Sequence, residues 1–193
     1  DISEDSREFW LVDDHSYKLY HVVDGQQRLT TFVVFLQSFV DVLRTLPDNE
    51  GQSDEDVYVS ETLNVASVTK RFLFMMKPPD EHFRTYKFGY TTDNPSYDYM
   101  RFRILGEEGE GTILETFYTL NLANAKRFFT EQLRAWHERE RLEGLQAIYR
   151  ALTKRFLFNE YIIKDEFDVF VAFETMNNRG KKLSNLEWFI KEL

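Results

Sequence analysis

Apolar residues recur every three or four positions between residues 29 and 46, which is the spacing of one face of an α-helix. The pattern stops at Pro47, because proline lacks an amide hydrogen and its ring collides with the preceding turn. The sequence therefore predicts a helix that begins near Leu29 and ends before Pro47. The apolar positions of its face are Leu29, Phe32, Val33, Leu36, Phe39, Val40, Leu43 and Leu46.

Two short runs of β-branched and aromatic residues precede this helix, at 9–12 and 17–23. A polar segment separates them, so the pattern predicts a β-hairpin whose second strand ends at Asp24-Gly25. The acidic segment 47–56 is predicted to be a loop. It is also the best candidate for a boundary between a small α/β start and a mainly helical remainder.

The remainder of the chain has mainly helical patterns, with two short strand patterns among them. Helices are predicted at 66–74, from 93–95 onward, and at 121–137, 139–154, 168–176 and 185–193, with strands at 86–90 and 156–163. The expected core is aromatic: Phe32, Phe35, Phe39, Phe170 and Phe173, together with Phe72, Phe74, Phe128, Phe129, Phe156 and Phe158. These elements predict the α+β fold class.

The amino-acid composition excludes several kinds of functional site. The 193 residues are 42% hydrophobic and carry a net charge of −9, without any cysteine. Disulfides, thiolate zinc sites and cysteine nucleophiles are thereby excluded, and no apolar run reaches the roughly 18 residues that a membrane span needs. We expect a cytoplasmic protein with no membrane partner. The acidic balance argues against non-specific duplex binding by the whole chain, but it leaves room for a local basic cleft.

The segment Asp24-Gly25-Gln26-Gln27-Arg28, the first motif, lies where the predicted hairpin gives way to the predicted helix. A helix N-terminus presents unpaired N–H groups and a positive dipole end, which suit a phosphate. Gly25 permits a tight turn, and Arg28 offers a bidentate donor. Asp24 is a candidate ligand for Mg²⁺ or a ribose hydroxyl, while the two glutamines would orient phosphate or water. A plain Asp-Gly turn with Asp24 as helix cap remains the alternative.

A second motif, residues 173–184, places a carboxylate, two amides, an arginine and two lysines around the end of one predicted helix and the start of the next. In a cleft, Arg179 would neutralise phosphate charge and Glu174 would polarise water or a metal. The alternative is a helix C-cap at Gly180 followed by a capping box, with the charges solvated.

The remaining polar residues carry weaker signals. The four histidines share no metal-ligand spacing, so no zinc site is predicted. Charges of alternating sign between residues 131 and 143 predict a solvated helix face rather than a nucleic-acid-binding stripe. This face comprises Glu131, Arg134, His137, Glu138, Arg139, Glu140, Arg141 and Glu143.

The two motifs together resemble a known family. Residues 22–31, Val-Val-Asp-Gly-Gln-Gln-Arg-Leu-Thr-Thr, resemble the signature of the DGQQR-motif family, domain of unknown function 262. Residues 173–184 resemble its second signature, F-E-x-x-N-x-R-G-x-x-L-S. The order of the motifs and the helical insert between them also fit, so the resemblance extends over nearly the whole chain.

The resemblance implies a ParB/sulfiredoxin-like nucleotide-binding element at 1–46 and a mostly helical extension at 47–193. Characterised members resemble the S part of GmrSD-type modification-dependent restriction systems and related phage-defence proteins. In these, the module binds and hydrolyses a nucleoside triphosphate, expected here with Mg²⁺, while a C-terminal HNH nuclease domain cuts DNA.

Site residues follow from the same resemblance. The expected catalytic residues are Asp24, Gln27, Arg28 and Glu174, with Asp24 also the metal ligand, and the expected nucleotide-binding residues are Gly25, Gln26, Asn177 and Arg179. The expected partners are a nucleotide and, through the intact protein or a nuclease domain, DNA; assembly into an oligomer stays open. A non-catalytic module that senses nucleotide or modified DNA, and a purely structural helical scaffold, stay open as alternatives.

The chain departs from the family pattern at both ends. Family members usually begin with a Q-R-x-Y-x-W-like segment that is not present here, so we expect the N-terminal part of the fold to be incomplete. After Leu183-Ser184, the lysine of the expected acidic-Leu-Ile-Lys pattern comes one place late, at Lys191. No HNH-type histidine pair occurs, so we expect a chain without the nuclease.

Overall fold

The computed structural model describes residues 9–12, 15–76, 84–109, 113–158, 160–163 and 171. The chain divides into two compact units, one comprising residues 1–26 and 160–193 and the other comprising residues 27–159. The described residues form small antiparallel β-pairs and longer helices, which confirms the predicted α+β class. The boundary predicted between residues 46 and 47 stays a prediction.

The first unit contains the predicted hairpin. Strand β1 (Phe9–Val12) pairs antiparallel with β2 (His15–Lys18), and Trp10 lies opposite Tyr17. The second strand is earlier and shorter than predicted, because residues 19–23 form no strand. His15 and Ser16, which the sequence places in the polar segment between the strands, belong to β2.

Helix α1 (Gln26–Arg44) confirms the strongest sequence pattern, although it begins three residues before the predicted start near Leu29. It ends three residues before Pro47, which starts a 3₁₀ turn (Pro47–Asn49). The Asn49 side-chain amide donates a 2.8 Å hydrogen bond to the carbonyl of Leu43 and so satisfies one acceptor of the last helical turn. The buried residues of α1 are Thr30, Val33, Val34, Leu36, Gln37, Ser38, Phe39, Val40, Val42 and Leu43.

The rest of the second unit is built from short β-pairs and two further helices. In chain order these are β3 (Tyr58–Ser60), β4 (Leu63–Asn64), α2 (Val65–Phe72), β5 (Phe74–Met76), β6 (Arg84–Tyr86), a π-helical segment (Tyr99–Ile104) and α3 (Phe117–Lys154). Strand β3 pairs with β4 and β5 with β6, each pair antiparallel. The helix predicted at 66–74 is confirmed, although it ends at Phe72 because Phe74 already belongs to β5.

Two predicted strands differ from the structure. The strand expected at 86–90 lies at 84–86, where its residues find a partner in β5. The strand expected at 156–163 is wrong, because the described residues there, 156–158 and 160–163, form none. A strand needs a partner for its backbone groups, and an apolar run alone does not supply one. The helices predicted at 168–176 and 185–193 lie outside the described residues, apart from Val171.

The core of the second unit surrounds the middle of α1. Leu36, Phe39 and Leu43 are fully buried, and the ring of Phe39 stacks on Tyr149 of α3 at 5.7 Å between centroids. The aromatic expectation is confirmed for Phe39, whereas Phe32, Phe35, Phe72, Phe74 and Phe129 are only half-buried at the edge of this core. It is wrong for Phe128, Phe156 and Phe158, which are 55%, 59% and 61% exposed. Phe170 and Phe173 lie outside the described residues.

Helix α3 is broken at Arg141, whose backbone has φ +55° and ψ −154°. The sequence predicts two helices that part at residue 138, so the break is confirmed, but it lies three residues later. The bend brings Gly144 against the side chains of Trp136 and Glu140. A Cβ at position 144 would lie 2.7 Å from the nearest indole carbon and would also overlap the Glu140 Cβ.

Replacing Gly144 by alanine is therefore expected to destabilise the protein. Overpacking of this kind costs about 1–3 kcal/mol, and each kcal/mol lowers Tm by about 2–4 °C in a chain of this size. Thermal melting followed by circular dichroism measures the effect. Arg141→Gly is the opposite control, because it relieves a backbone conformation that costs about 1–3 kcal/mol in a non-glycine residue and should raise Tm. An unchanged Tm in the Gly144→Ala variant would contradict the close packing.

No helix among the described residues combines the length and the apolar character that crossing a bilayer requires.

Candidate functional site

The first part of the first motif precedes α1 in the first unit. Gly25 has φ +86°, a left-handed conformation that favours glycine, and Asp24 beside it is exposed. The side-chain amide of Gln26, the first residue of α1, donates a 2.6 Å hydrogen bond to the carbonyl of Val22. The chain therefore turns at Gly25 before the helix, as the sequence predicts, but the preceding residues 19–23 form no strand.

The second part of the motif lies in the first turn of α1, in the other unit. Gln27 and Arg28 are exposed, whereas Thr30 is buried. The hydroxyl of Thr31 donates a 2.8 Å hydrogen bond to the carbonyl of Gln27. No acidic residue stands in the first turn of α1, so no carboxylate within that turn offsets the positive end of the helix dipole. This helix start can accept an anion.

Glu174, Asn177 and Arg179 lie outside the described residues. The sequence-based expectation that Arg28 and Arg179 face one cleft therefore stays a prediction.

The described residues offer no ready-made metal cage, since they contain no group of three or more His, Cys, Asp or Glu side chains that could hold an ion. Magnesium in nucleotide sites is ordinarily held by one or two carboxylates together with the substrate's phosphates. Asp24 alone fits that pattern as the single carboxylate of the first motif. Its role as a metal ligand stays a prediction.

A half-buried polar cluster, which the sequence did not reveal, connects β6 to the loop after the π-helical segment. The Tyr86 hydroxyl donates to a Glu107 carboxylate oxygen at 2.5 Å, and Arg101 donates to both oxygens at 2.7 Å. Arg84 of β6 also contacts this part of the chain, because its guanidinium donates a 3.1 Å hydrogen bond to the Leu105 carbonyl. Because Glu107 accepts hydrogen bonds from both Tyr86 and Arg101, the cluster is a structural tie. No local pattern could reveal it, since Tyr86 and Glu107 are far apart in sequence.

The carboxylate of Glu107 is the charged centre of this cluster. Burial would raise its pKa, but the hydrogen bonds from Arg101 and Tyr86 outweigh burial and hold the pKa below its ordinary value. For Tyr86, burial and the bond to Glu107 both raise the pKa of the hydroxyl, which stays protonated as the donor.

The cluster is expected to make stability depend on pH on the acid side. A lowered folded-state pKa stabilises the protein above the ordinary pKa of glutamate, about 4.3, and this stabilisation is lost as the pH falls through the lower folded value. Melting curves between about pH 6 and pH 2 should show a shallower loss of Tm for Glu107→Gln than for the unmodified chain. Glu108→Gln, at an exposed neighbour, is the matched control and should keep the full pH dependence. Equal slopes for both variants would contradict a role for Glu107.

The predicted solvated face of α3 is confirmed, because its members are exposed except for the half-buried His137. They are Glu131, Arg134, Glu138, Arg139, Glu140, Arg141 and Glu143.

Comparison with known proteins gives one result. The family model described as "GmrSD restriction endonuclease, N-terminal domain" matches residues 8–193. The match confirms the resemblance to domain of unknown function 262 at the level of the family, and its range contains both motifs. No curated protein and no solved structure matches the chain.

Proposed function

The chain belongs to the family of GmrSD restriction endonuclease N-terminal domains, and we propose that it binds and hydrolyses a nucleoside triphosphate to regulate a DNA-targeting enzyme. The observation that carries the proposal is the start of α1. There a left-handed glycine leads into a helix whose first turn has exposed amide and guanidinium side chains and no carboxylate. Helix starts of this kind bind phosphate groups.

Each residue of the first motif has a role in this proposal. Gly25 lets the backbone approach the phosphates, and Arg28 carries their negative charge with a bidentate donor. Gln27 orients the attacking water. Gln26 supports the turn through its bond to Val22, and its backbone N–H contributes to nucleotide binding. Asp24 would hold Mg²⁺, which when bound neutralises charge on the phosphate oxygens.

The second motif completes the proposed site. Arg179 adds a second guanidinium for phosphate charge, Glu174 polarises the attacking water, and Asn177 binds the nucleotide. These roles derive from the resemblance of residues 173–184 to the second family signature. Nucleotide and DNA are the proposed partners, and the cytoplasm is the proposed location.

The proposal is tested by titrating ATP, GTP, CTP and UTP with Mg²⁺ into the full-length protein and measuring phosphate release and Tm. Phosphate release with one nucleotide is the expected result. A raised Tm without phosphate release would instead indicate a non-catalytic sensor. Neither effect with any of the four nucleotides would overturn the proposal.

A further inference from the structure

An open groove of about 460 Å³, the basic groove, lies between the π-helical segment and the face of α3 that packs against it. Four cationic side chains line it, namely Arg103, Lys126, Arg127 and Arg134, against the single carboxylate of Glu131. The formal charge of the lining is thus 4 − 1 = +3, whereas the whole chain carries −9. Such a local reversal of sign concentrates anions at this surface.

The cations of the basic groove are not all used by the protein. The Lys126 ammonium donates to the Ile104 carbonyl at 2.6 Å and pairs with Asp41 at 3.0 Å, so it is part of the fold. In the described part of the chain, the guanidinium of neither Arg103 nor Arg134 makes a hydrogen bond or an ion pair, and both side chains are exposed. Two guanidiniums therefore face solvent beside a third, that of Arg127, which donates to Asn124.

The spacing of these groups suits a repeated negative charge. Arg127, Thr130 and Arg134 follow one another by three and four residues and so share one face of α3. Seven residues of helix span about 10 Å at about 1.5 Å each. Along one strand of duplex DNA the phosphates follow at about 3.4 Å of axial rise, so this face spans about three of them.

We propose that the basic groove binds the phosphodiester backbone of duplex DNA, with Arg103 and Arg134 as the main contacts and Thr130 as an additional hydroxyl donor. The proposal rests on the DNA-targeting part of the proposed function but not on the nucleotide site at the start of α1. The described lining of the groove offers positively charged side chains and a hydroxyl donor on an open surface. Such contacts position a protein on DNA without reading its sequence.

The test measures binding of a fluorescein-labelled 20-base-pair duplex to the full chain by anisotropy over a series of salt concentrations. Each lost phosphate contact lowers the slope of log affinity against log salt by about 0.9. The double variant Arg103→Ala/Arg134→Ala should therefore lower the slope by about 1.8, equally for unrelated duplex sequences. The single variant Arg134→Gln should lower it by about half as much.

The matched control is Arg150→Ala/Arg155→Ala, which removes the same charge from exposed positions outside the groove. An unchanged slope for this control supports the groove, whereas an equal loss in both double variants would show a general charge effect and overturn it. Displacement of the duplex by inorganic tripolyphosphate at equal phosphate concentration would also overturn it, because the groove would then be a small-anion site.

Measuring duplex binding and phosphate release on the same protein sample distinguishes failure of this inference from failure of the proposed function. Duplex binding without phosphate release from any nucleotide would count against the nucleotide site alone. Phosphate release without duplex binding would count against the basic groove alone.

Discussion

Replacing Arg28 by alanine is expected to abolish NTP hydrolysis by the intact protein while leaving its fold almost unchanged. The negative charge on the phosphate oxygens in the transition state needs aligned donors, and loss of one such donor typically lowers the rate by about 10²–10³-fold. The side chain of Arg28 is exposed in the first turn of α1, and exposed ion pairs stabilise proteins by only about 0–1 kcal/mol. Phosphate release and thermal melting of the same sample separate the two effects.

The matched variant is Arg28→Lys, which should restore only part of the rate because an ammonium cannot reproduce the bidentate fork of a guanidinium. Unfolding of the alanine variant would show that Arg28 is a structural ion-pair partner. Normal hydrolysis by a folded alanine variant would show that the phosphate-binding assignment of the first motif is wrong.

Replacing Phe39 by alanine should produce the largest loss of stability in the second unit. The ring is fully buried, stacks on Tyr149 and lies beside Phe35. A buried phenylalanine truncated to alanine loses about 3–5 kcal/mol, because contacts disappear and a cavity remains. Chemical denaturation followed by tryptophan fluorescence and by circular dichroism measures the loss.

Phe128→Ala is the matched control for this variant. Its ring is 55% exposed on α3, so its loss should cost less than about 1 kcal/mol. A loss below about 1 kcal/mol for Phe39→Ala as well would show that α1 is not packed as the structure describes. The corresponding expectation for Phe173→Ala, about 3–5 kcal/mol, concerns a residue outside the described part of the chain and stays a prediction.

The sequence predicted α1 well because a single long helix buries one face, and the spacing of its apolar residues identifies that face. Aromatic residues were harder to assign. Phe128 and Phe129 are adjacent on α3 and point in different directions, so one is exposed and the other packs edge-on against Phe35 at 5.3 Å. The amino-acid composition does not distinguish such residues, because the burial of each ring depends on the side chains that pack against it.

In the candidate site, too, features formed by adjacent residues could be predicted from the sequence, whereas features formed by residues far apart in the chain could not. The turn at Gly25 follows from a few adjacent residues, and the structure agrees with it, whereas α1 begins at Gln26, three residues before the predicted start near Leu29. The basic groove combines Arg103 with residues of α3, and the cluster around Glu107 combines β6 with a later loop. The sequence assigns Arg134 to a solvated helix face, and only the packing of two elements reveals that Arg103 lies beside it in one groove.

The π-helical segment has a consequence for how this domain tolerates changes in length. Its wide turn is closed by a 2.9 Å hydrogen bond from the Leu105 amide to the Met100 carbonyl, five residues back. Within this turn, Arg101 reaches Glu107 while Arg103 lines the groove. Deleting one residue here would let an ordinary α-helical turn form, but it would move every following side chain by one position. Homologous sequences should therefore keep the number of residues in this segment constant.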